Sequence, residues 1–427
     1  MESEQSSFTF VQFSDVHLDT PQNHGVLSYS AAKCQERYAD FVECFVLALV
    51  TAKERGVDAV FVPGGLWNQE TIRAQTAGTV LEAIEQIAPI PVYISPGEND
   101  PYTIDSPYSS KFLSALGMRP WPQNAIIFNS NSFKTLTHPA RKDVTITARA
   151  YKRKGSDSNR YLSEAINLAE RSMINILLHH GSLELEEGEE LPHFRRKNTT
   201  PFTIDELDNQ RFTYAALGHS HEYLEVENEE DLLIGAYSGC LMGRNFEELG
   251  PRGIIHGTIT LAEDGSTTVQ LEPIETARNR IMYISVDITG LDLELIKEEI
   301  FMMMEEADVH PDSDIVGLSL EGRFSHDSST RELIEEIKDE FYHLVVMDRT
   351  RPDYLSEQYD PRTTEHKFIE KMLESIQEAE EKRMTSPVGD SLTGLPGSMI
   401  SGKTIEDALY YGLDALKNKK VTVRHVD

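Results

Sequence analysis

The sequence is poor in cysteine, tryptophan and positive charge, and it has no long apolar run. Three cysteines (Cys34, Cys44, Cys240) fall in no metal-binding spacing and make no even count, so buried reduced thiols are expected rather than disulfides or a cysteine-held zinc. No apolar stretch approaches the ~18 residues that a membrane span requires. The opening MESEQSSFTF lacks the basic-then-apolar pattern of an export signal, so a soluble cytoplasmic chain with no membrane contact is expected. Lys and Arg number 40 against 71 Asp and Glu, a net charge of −31. Nucleic-acid affinity comes largely from basic side chains neutralising phosphates. That balance excludes a general nucleic-acid-coating surface and leaves room only for a local groove. Residues 281–427 hold 16 basic and 32 acidic residues, so they are roughly twice as acidic per residue as the rest. Such a segment suits protein docking or solvation better than nucleic acid.

What is present is enough apolar residue, 39%, to build real cores, over a length that suggests two or three domains. Strands are expected at Phe8–Phe13, Ala59–Pro63, Pro91–Ser95, Ile174–Leu178 and Phe212–Leu217, each leading into a polar or glycine loop. Helices are expected at Ala31–Glu54, ending at Gly56, and at Thr71–Ile87. Strand–loop–helix alternation is an α/β signature. Leu232–Tyr237 and Gly253–Leu261 suggest antiparallel strands. Near residues 274–280 the pattern resets into a βαβαβ block: strands Ile281–Ile288, Ile315–Leu320 and His343–Met347, helices Leu291–Ala307 and Thr330–Phe341. A charged helix, Thr364–Lys382, a Ser/Gly/Pro-rich loop near 385–402 expected to be mobile, and a last helix, Thr404–Lys417, complete the chain. The expected domains are 1–275, 276–350 and 351–427.

Five loops at strand ends carry the residues of interest, where ligands gather in α/β sheets. They are Asp15-Val16-His17, Gly64-Gly65, Gly97-Glu98-Asn99-Asp100, His179-His180-Gly181 and Gly218-His219-Ser220-His221. Carboxylate and imidazole donors suit Mn, Zn or Fe. Any one pair is a weak signal, and the strand-end placement of all of them is a strong one.

The order D-x-H, GD-x-x, GNH-[DE], H, GH-x-H is the calcineurin-like metallophosphoesterase signature, and the loops resemble it. FSDVHLDTP, YAALGHSHEY and YSGCLMGRNFEELGPRG resemble the SbcD branch, the nuclease subunits of double-strand-break repair complexes. IMYISVDITGLDLELIKEEI resembles that branch's capping domain, and TIEDALYYGLDALKNKKV the tail of its bacterial members. The resemblance implies a four-layer α/β/β/α sandwich, a small α/β capping domain and a helical C-terminal tail. It also implies a two-metal centre that clamps the oxygens of a phosphodiester, and an SMC-like (SbcC-type) ATPase partner. Carried over by motif, Asp15, His17 and His221 match ligands of the first ion. His180 and His219 match ligands of the second, His180 fitting better than His179 because it precedes the glycine.

The departures bear on function. Gly65 stands where the bridging Asp belongs, Glu98 where the ligand Asn belongs, and Asn99 where the catalytic His belongs. An amide cannot shuttle a proton near neutral pH, so an impaired nuclease that binds rather than cuts is expected. Two readings of the pocket stay open. Glu98 takes over part of the bridge and a divalent ion such as Mn²⁺ is held, at reduced occupancy, by Asp15, His17, Glu98, His180, His219 and His221; or the survivors bond only to one another. An active, altered phosphodiesterase using Glu98 and a protein-binding scaffold remain as rival functions, with DNA and a second copy of the chain open as partners. No organic cofactor is expected. If the scaffold is otherwise intact, restoring Gly65→Asp with Asn99→His is expected to raise activity.

Other signals are weaker. Gly397–Thr404 fits G-x-x-x-x-G-K-[ST], but no apolar strand precedes it, so it reads as a linker entering a helix. Lys152-Arg153-Lys154 and the run His193–Lys197 are basic segments open to either phosphate contact or plain solvation. Trp67 reads as packing, and Met302–Met304 as core filler. Phe368, Met372 and Ile376, like Leu409, Leu413 and Leu416, form stripes that either dock a partner or cover each other.

Overall fold

The segment SSFTFVQ begins as an alternating strand and becomes one buried on both faces. In a computed structural model of the chain, Phe8 and Phe10 enter one apolar cluster and Val11 and Phe13 another. The structure describes residues 6–21, 27–155, 157–168, 173–184, 199–324, 330–385 and 402–418. The fold is mixed α/β. The chain divides into two compact units, Met1–Met282 with Ser313–Ile315, and Tyr283–Asp312 with Val316–Asp427.

The first unit contains β1 (Ser6–Gln12), α1 (Ala31–Glu54), β2 (Ala59–Val62), α2 (Ala74–Gln86), β3 (Val92–Ile94), α3 (Ser110–Ala115), β4 (Ala125–Ile127), β5 (Lys134–Thr137), β6 (Val144–Ala148), β7 (Ile174–His180), α4 (Ile204–Asp208), β8 (Tyr214–Gly218), β9 (Tyr223–Glu227), β10 (Leu233–Ser238), β11 (Gly253–Leu261) and β12 (Thr267–Glu275). One sheet runs β12-β11-β1-β2-β3-β4 and the other β5-β6-β7-β8-β10-β9. The first sheet is parallel from β1 to β4 and antiparallel at β11 and β12, and the second is parallel at its centre and antiparallel at both edges: β1 pairs in parallel with β2 (Phe10 opposite Ala59), and β7 with β8 (Ile176 opposite Tyr214). The two strands expected to be antiparallel part company. β10 joins the second sheet, parallel to β8 and antiparallel to β9, while β11 lies antiparallel to β1 in the first.

Phe8, Phe10, Phe61 and Tyr93 from the first sheet meet Ile146, Ile176, Leu178, Tyr214 and Ala236 from the second in one cluster, so the sheets bury a shared face. The first sheet's other face takes Phe41, Phe45, Ala48, Leu49 and Ala52 of α1 and Val80 and Ile84 of α2. These lie at helical spacing, and Ser30 caps α1 by accepting from Lys33 N (3.2 Å). The second sheet's other face packs on Phe202, Leu207 and Phe212, around α4 and its Thr203–Glu206 capping box. Gln12, buried between the sheets, donates to Leu217 O (3.2 Å) and Ala236 O (2.8 Å) and accepts from Tyr214 OH (2.7 Å). A polar residue in a core must be satisfied this way, and here it ties the end of β1 to the ends of β8 and β10.

The second unit contains β13 (Ile281–Asp287), α5 (Leu293–Glu306), β14 (Ile315–Glu321), β15 (Arg323–Phe324), α6 (Thr330–Ile337), β16 (His343–Asp348), β17 (Arg351–Pro352), α7 (Thr364–Thr385) and α8 (Gly402–Asn418). Its sheet runs β13-β14-β16. Ile296, Ile300 and Met304 are the buried side of α5; Met302 is exposed, so only one of the three consecutive methionines fills core. The stripes on α7 and α8 cover each other: Phe368, Met372 and Ile376 pack on Leu409, Tyr410 and Leu413. Leu416 stays exposed. A Cβ on Gly412 would lie 2.2 Å from the Phe368 ring, so glycine sets how closely the two helices approach. The loop expected near 385–402 and the Gly397–Thr404 pattern lie outside the described residues, apart from their ends in α7 and α8. Cys34, Cys44 and Cys240 are buried thiols that form no disulfide among the described residues. Among the described residues no helix is long and apolar enough to cross a membrane.

Candidate metal centre

The loop after β1 runs beside the loop after β2. Asp15 N donates to Gly64 O (3.2 Å), His17 N to Gly65 O (2.7 Å) and Leu18 N to Leu66 O (3.1 Å). This ladder forces unusual backbone. Asp15, His17 and Asp19 have φ of 51°, 48° and 57°, and His219 has 102°. Left-handed non-glycine residues are uncommon and cluster at functional sites, each at a cost of order 1–3 kcal/mol. Asp19 anchors the far end of the loop by accepting from Arg73 N (2.8 Å) and Nε (2.9 Å) at the start of α2.

The six residues expected to hold metal are brought together as two groups of three. Asp15, His17 and His221 form one, and Glu98, His180 and His219 the other; in each, one donor atom per residue lies within 4.8 Å of the others. In the first, Asp15 Oδ1 is 3.4 Å from His17 Nε2 and 3.9 Å from His221 Nε2. Its other oxygen, Oδ2, is occupied by Ser14 Oγ (2.6 Å) and His219 N (2.9 Å). In the second, His219 Nδ1 meets Glu98 Oε1 at 3.0 Å. Glu98 Oε2 and His180 Nε2 are in direct contact as an ion pair. The other nitrogen of His180, Nδ1, faces Pro63 O at 2.8 Å, which keeps a proton on Nδ1 and turns Nε2 toward Glu98. Metal-ligating histidines are held in this manner. Each group offers two imidazoles and one carboxylate, a set that fits borderline divalent cations.

Burial opposes ionisation of Asp15, but its contact with His17 and the charges of His180 and His221 prevail and hold the carboxyl well below the usual range. Burial is likewise outweighed at Glu98, where His180 and His219 keep the carboxyl ionised. Against its own burial, His180 is carried up to about 10 by Glu98 and Asp15. His221 goes the other way, lowered by burial and by the nearby Arg244. The pocket therefore holds two ionised carboxylates, Asp15 and Glu98, against one imidazole, His180, that retains its proton.

Position 65 is sterically closed to a side chain. Gly65 has φ of 71°, and a Cβ there would lie 2.8 Å from both Asp15 Cα and Asp15 Oδ1. An aspartate at 65 would meet Asp15 on this backbone, so the gain expected from Gly65→Asp with Asn99→His requires the first loop to shift. Gly64 is equally confined: its Cβ would fall 2.3 Å from His180 Nδ1. Asn99 lies beside the second group, its Nδ2 3.5 Å from Glu98 Oε1. It supplies an amide and no titrating proton. Asp100 turns away from the pocket. It accepts from Gly65 N, Gly97 N and Leu66 N (each 2.9 Å) and from Tyr108 OH (2.7 Å), locking the second and third loops together.

His179 points to the other side of β7, packing edge-on to Phe202 at 5.3 Å; burial pushes it down to about 3. It is a core residue. Trp67 is fully buried against Tyr108 (4.4 Å between rings), which makes it packing. Lys152-Arg153-Lys154 lies next to the centre, since Gly155 N donates to Glu98 O (3.2 Å). Two of its three charges are engaged: Lys154 with Glu70 (2.6 Å), and Lys152 over the Tyr102 ring (4.4 Å). The run His193–Lys197 lies outside the described residues. Two residues given no role from sequence, both inside the segment YSGCLMGRNFEELGPRG, back the site. Glu248 Oε1 is 2.7 Å from His221 Nδ1, and Arg244 holds Glu248. An Arg and a Glu four positions apart inside a glycine-flanked loop are the trace they leave in the sequence.

No family model matches the sequence, and no curated protein matches it. Among solved structures the chain is similar to TT1561 of Thermus thermophilus, at 9% identity and a TM-score of 0.31, over 62% of this chain and 99% of that one. A likeness this distant has no bearing on the site.

Proposed function

We propose that this chain is an SbcD-like member of the metallophosphoesterase fold that holds divalent cations and engages phosphodiesters, DNA ends above all, while cleaving them poorly. The two stacked sheets, with α1 and α2 outside one and α4 outside the other, are read as the four-layer α/β/β/α sandwich. The single observation that carries the reading is the relocation of a carboxylate. Gly65 cannot bear one, and Glu98 supplies one between His180 and His219.

Asp15, His17 and His221 would hold one ion, and Glu98, His180 and His219 another. A bound divalent ion would supply charge neutralisation and a polarised phosphoryl oxygen. The chain's own residues do the rest. Asp15 and Glu98 stay ionised as ligands. Pro63 O and Glu248 keep the ring protons of His180 and His221 facing outward. Asn99 offers a hydrogen bond to the substrate but no proton to its leaving group, and that transfer is typically worth 10²–10⁴ in rate. Manganese is the expected ion. An SMC-like ATPase partner rests on the resemblance of the C-terminal segments; with the α7 and α8 stripes covering each other, docking would use their outer faces.

The test is Mn²⁺ calorimetry together with a phosphodiester assay. Wild type is expected to bind Mn²⁺, Glu98→Gln to bind it at least ~10-fold more weakly, and Asn99→His to hydrolyse bis-(p-nitrophenyl) phosphate faster than wild type by at least ~10-fold. Absence of Mn²⁺ binding would remove the metal reading. Rapid Mn²⁺-driven DNA degradation by the unaltered protein would instead favour an active enzyme built around Glu98, the reading that Glu98's position between two imidazoles also supports.

A further inference from the structure

The two groups of ligands are held from behind by different means. His180 gives its Nδ1 proton to a main-chain carbonyl, Pro63 O, an acceptor that no side-chain substitution removes. His221 relies on a side chain 27 positions downstream, Glu248. Resting on the metal-binding reading above, we propose that Glu248, braced by Arg244, is a positioning residue that fixes the His221 ring with Nε2 toward Asp15 and so makes the first group competent to bind a cation.

The geometry supports this in three steps. Glu248 is buried, at 5% exposure, and an ionised carboxylate only accepts. At 2.7 Å from His221 Nδ1, Oε1 therefore requires the proton on that nitrogen. In the neutral ring this leaves the lone pair on Nε2, the atom that faces Asp15 Oδ1 at 3.9 Å. Arg244 Nη2 lies 3.3 Å from the same Nδ1. Two donors facing each other gain nothing, so the carboxylate, not the guanidinium, decides the tautomer.

A lone buried carboxylate would be costly, and Arg244 offsets the cost. Its main-chain N–H donates to Glu248 Oε2 (2.7 Å), and Nη2 to Oε1 (3.1 Å). Its Nη1 reaches Asp15 O at 3.4 Å, so one guanidinium touches both the brace and the loop that carries the first ligands. The turn is tight: a Cβ on Gly243 would lie 2.6 Å from Glu248 O. Carboxylate–histidine pairs behind a metal ligand raise its basicity as well as aiming it, and removing the carboxylate typically costs 10–100-fold in metal affinity.

The experiment uses the full chain labelled with ¹⁵N-histidine. Long-range ¹H–¹⁵N spectra of the metal-free protein, with His221 assigned by its loss in His221→Gln, report which ring nitrogen carries the proton. Wild type is expected to show the Nδ1–H form, and Glu248→Ala a mixture or the Nε2–H form. Mn²⁺ calorimetry on the same samples is expected to show one class of site weakened by about 10–100-fold and the other unchanged. Glu248→Gln keeps an acceptor oxygen and is expected to retain the Nδ1–H form. An Nε2–H ring in wild type overturns the proposal, whether or not the alanine variant folds. So does an unchanged tautomer in a folded Glu248→Ala. Because the tautomer is read without metal, failure of wild type to bind Mn²⁺ would sink the metal reading and leave the positioning claim to be decided by the spectra.

Discussion

Position 65 shows how one missing atom redirects a site. Its backbone is left-handed, and the space a Cβ would enter is filled by Asp15 itself. A left-handed conformation costs a non-glycine residue about 1–2 kcal/mol, and aspartate is among the residues that bear it best. The overlap with Asp15 is the larger effect, because the first loop would have to move off its ladder of Asp15–Gly64 and His17–Gly65 hydrogen bonds. Gly65→Asp is therefore expected to lower the thermal unfolding midpoint and to leave phosphodiester hydrolysis no higher than wild type. A stable variant with raised activity would show that the loop yields. The six candidate ligands, which the structure gathers into two groups, were legible because each belongs to a short motif whose spacing survives in the sequence. Asp100 stood in the third loop, but its hold on a loop more than 30 positions away did not show, nor did the bond from Glu248 to a ring 27 positions away. Motif spacing names the side chains that face a ligand and is silent about those that face the other way.

At the scale of elements, legibility follows apolar content. β2 (AVFV), β3 (VYI) and the start of β7 (INILL) are almost purely apolar and stood out. β6 (VTITA) is fully buried yet carries two threonines, and β5 and β12 are largely exposed; none of the three separates from loop by hydrophobicity. α2 begins at Ala74 rather than Thr71, with no side-chain cap at Arg73, as expected where end signals are weak. The turn between β5 and β6 yields a prediction of its own. His138 Nδ1 accepts from Ala140 N (3.2 Å) and Arg141 N (3.0 Å), and Nε2 faces Asp58 O at 3.0 Å. Both nitrogens are committed in the neutral form, and burial lowers the pKa. The unfolded histidine titrates near 6.5. As pH falls below that value toward the lower folded pKa, the unfolded chain binds the extra proton and the folded one resists it. The contribution is thus full above about pH 6.5 and declines as pH drops through this window. Urea unfolding of wild type and His138→Gln is expected to give a stability gap that narrows between about pH 7.5 and about pH 5.5. A gap that stays constant or widens would contradict the neutral-histidine assignment.

For the whole molecule, the decisive quantity is charge. A chain at −31 repels a polyanion at long range, and the candidate centre adds Asp15 and Glu98 to that repulsion. Divalent cations at the two groups would reverse the local sign, so DNA binding is expected to need them. The basic runs of the chain are few. Lys152, Arg153 and Lys154 lie beside Glu98, with two of them engaged within the protein, and Arg195, Arg196 and Lys197 make up the other run. Each phosphate neutralised contributes about −0.9 to the slope of log affinity against log salt on duplex DNA. Six side chains therefore bound the slope at about −5, and internal pairing should make it shallower. Fluorescence anisotropy with a labelled duplex, titrated with salt in Mn²⁺ and again in chelator, measures both quantities at once. The expected result is weak binding with a shallow slope in Mn²⁺ and background binding in chelator. Tight, metal-independent binding with a slope steeper than about −6 would mean that the affinity comes from a basic surface elsewhere, and that the acidic pocket between the five loops is not where DNA is held.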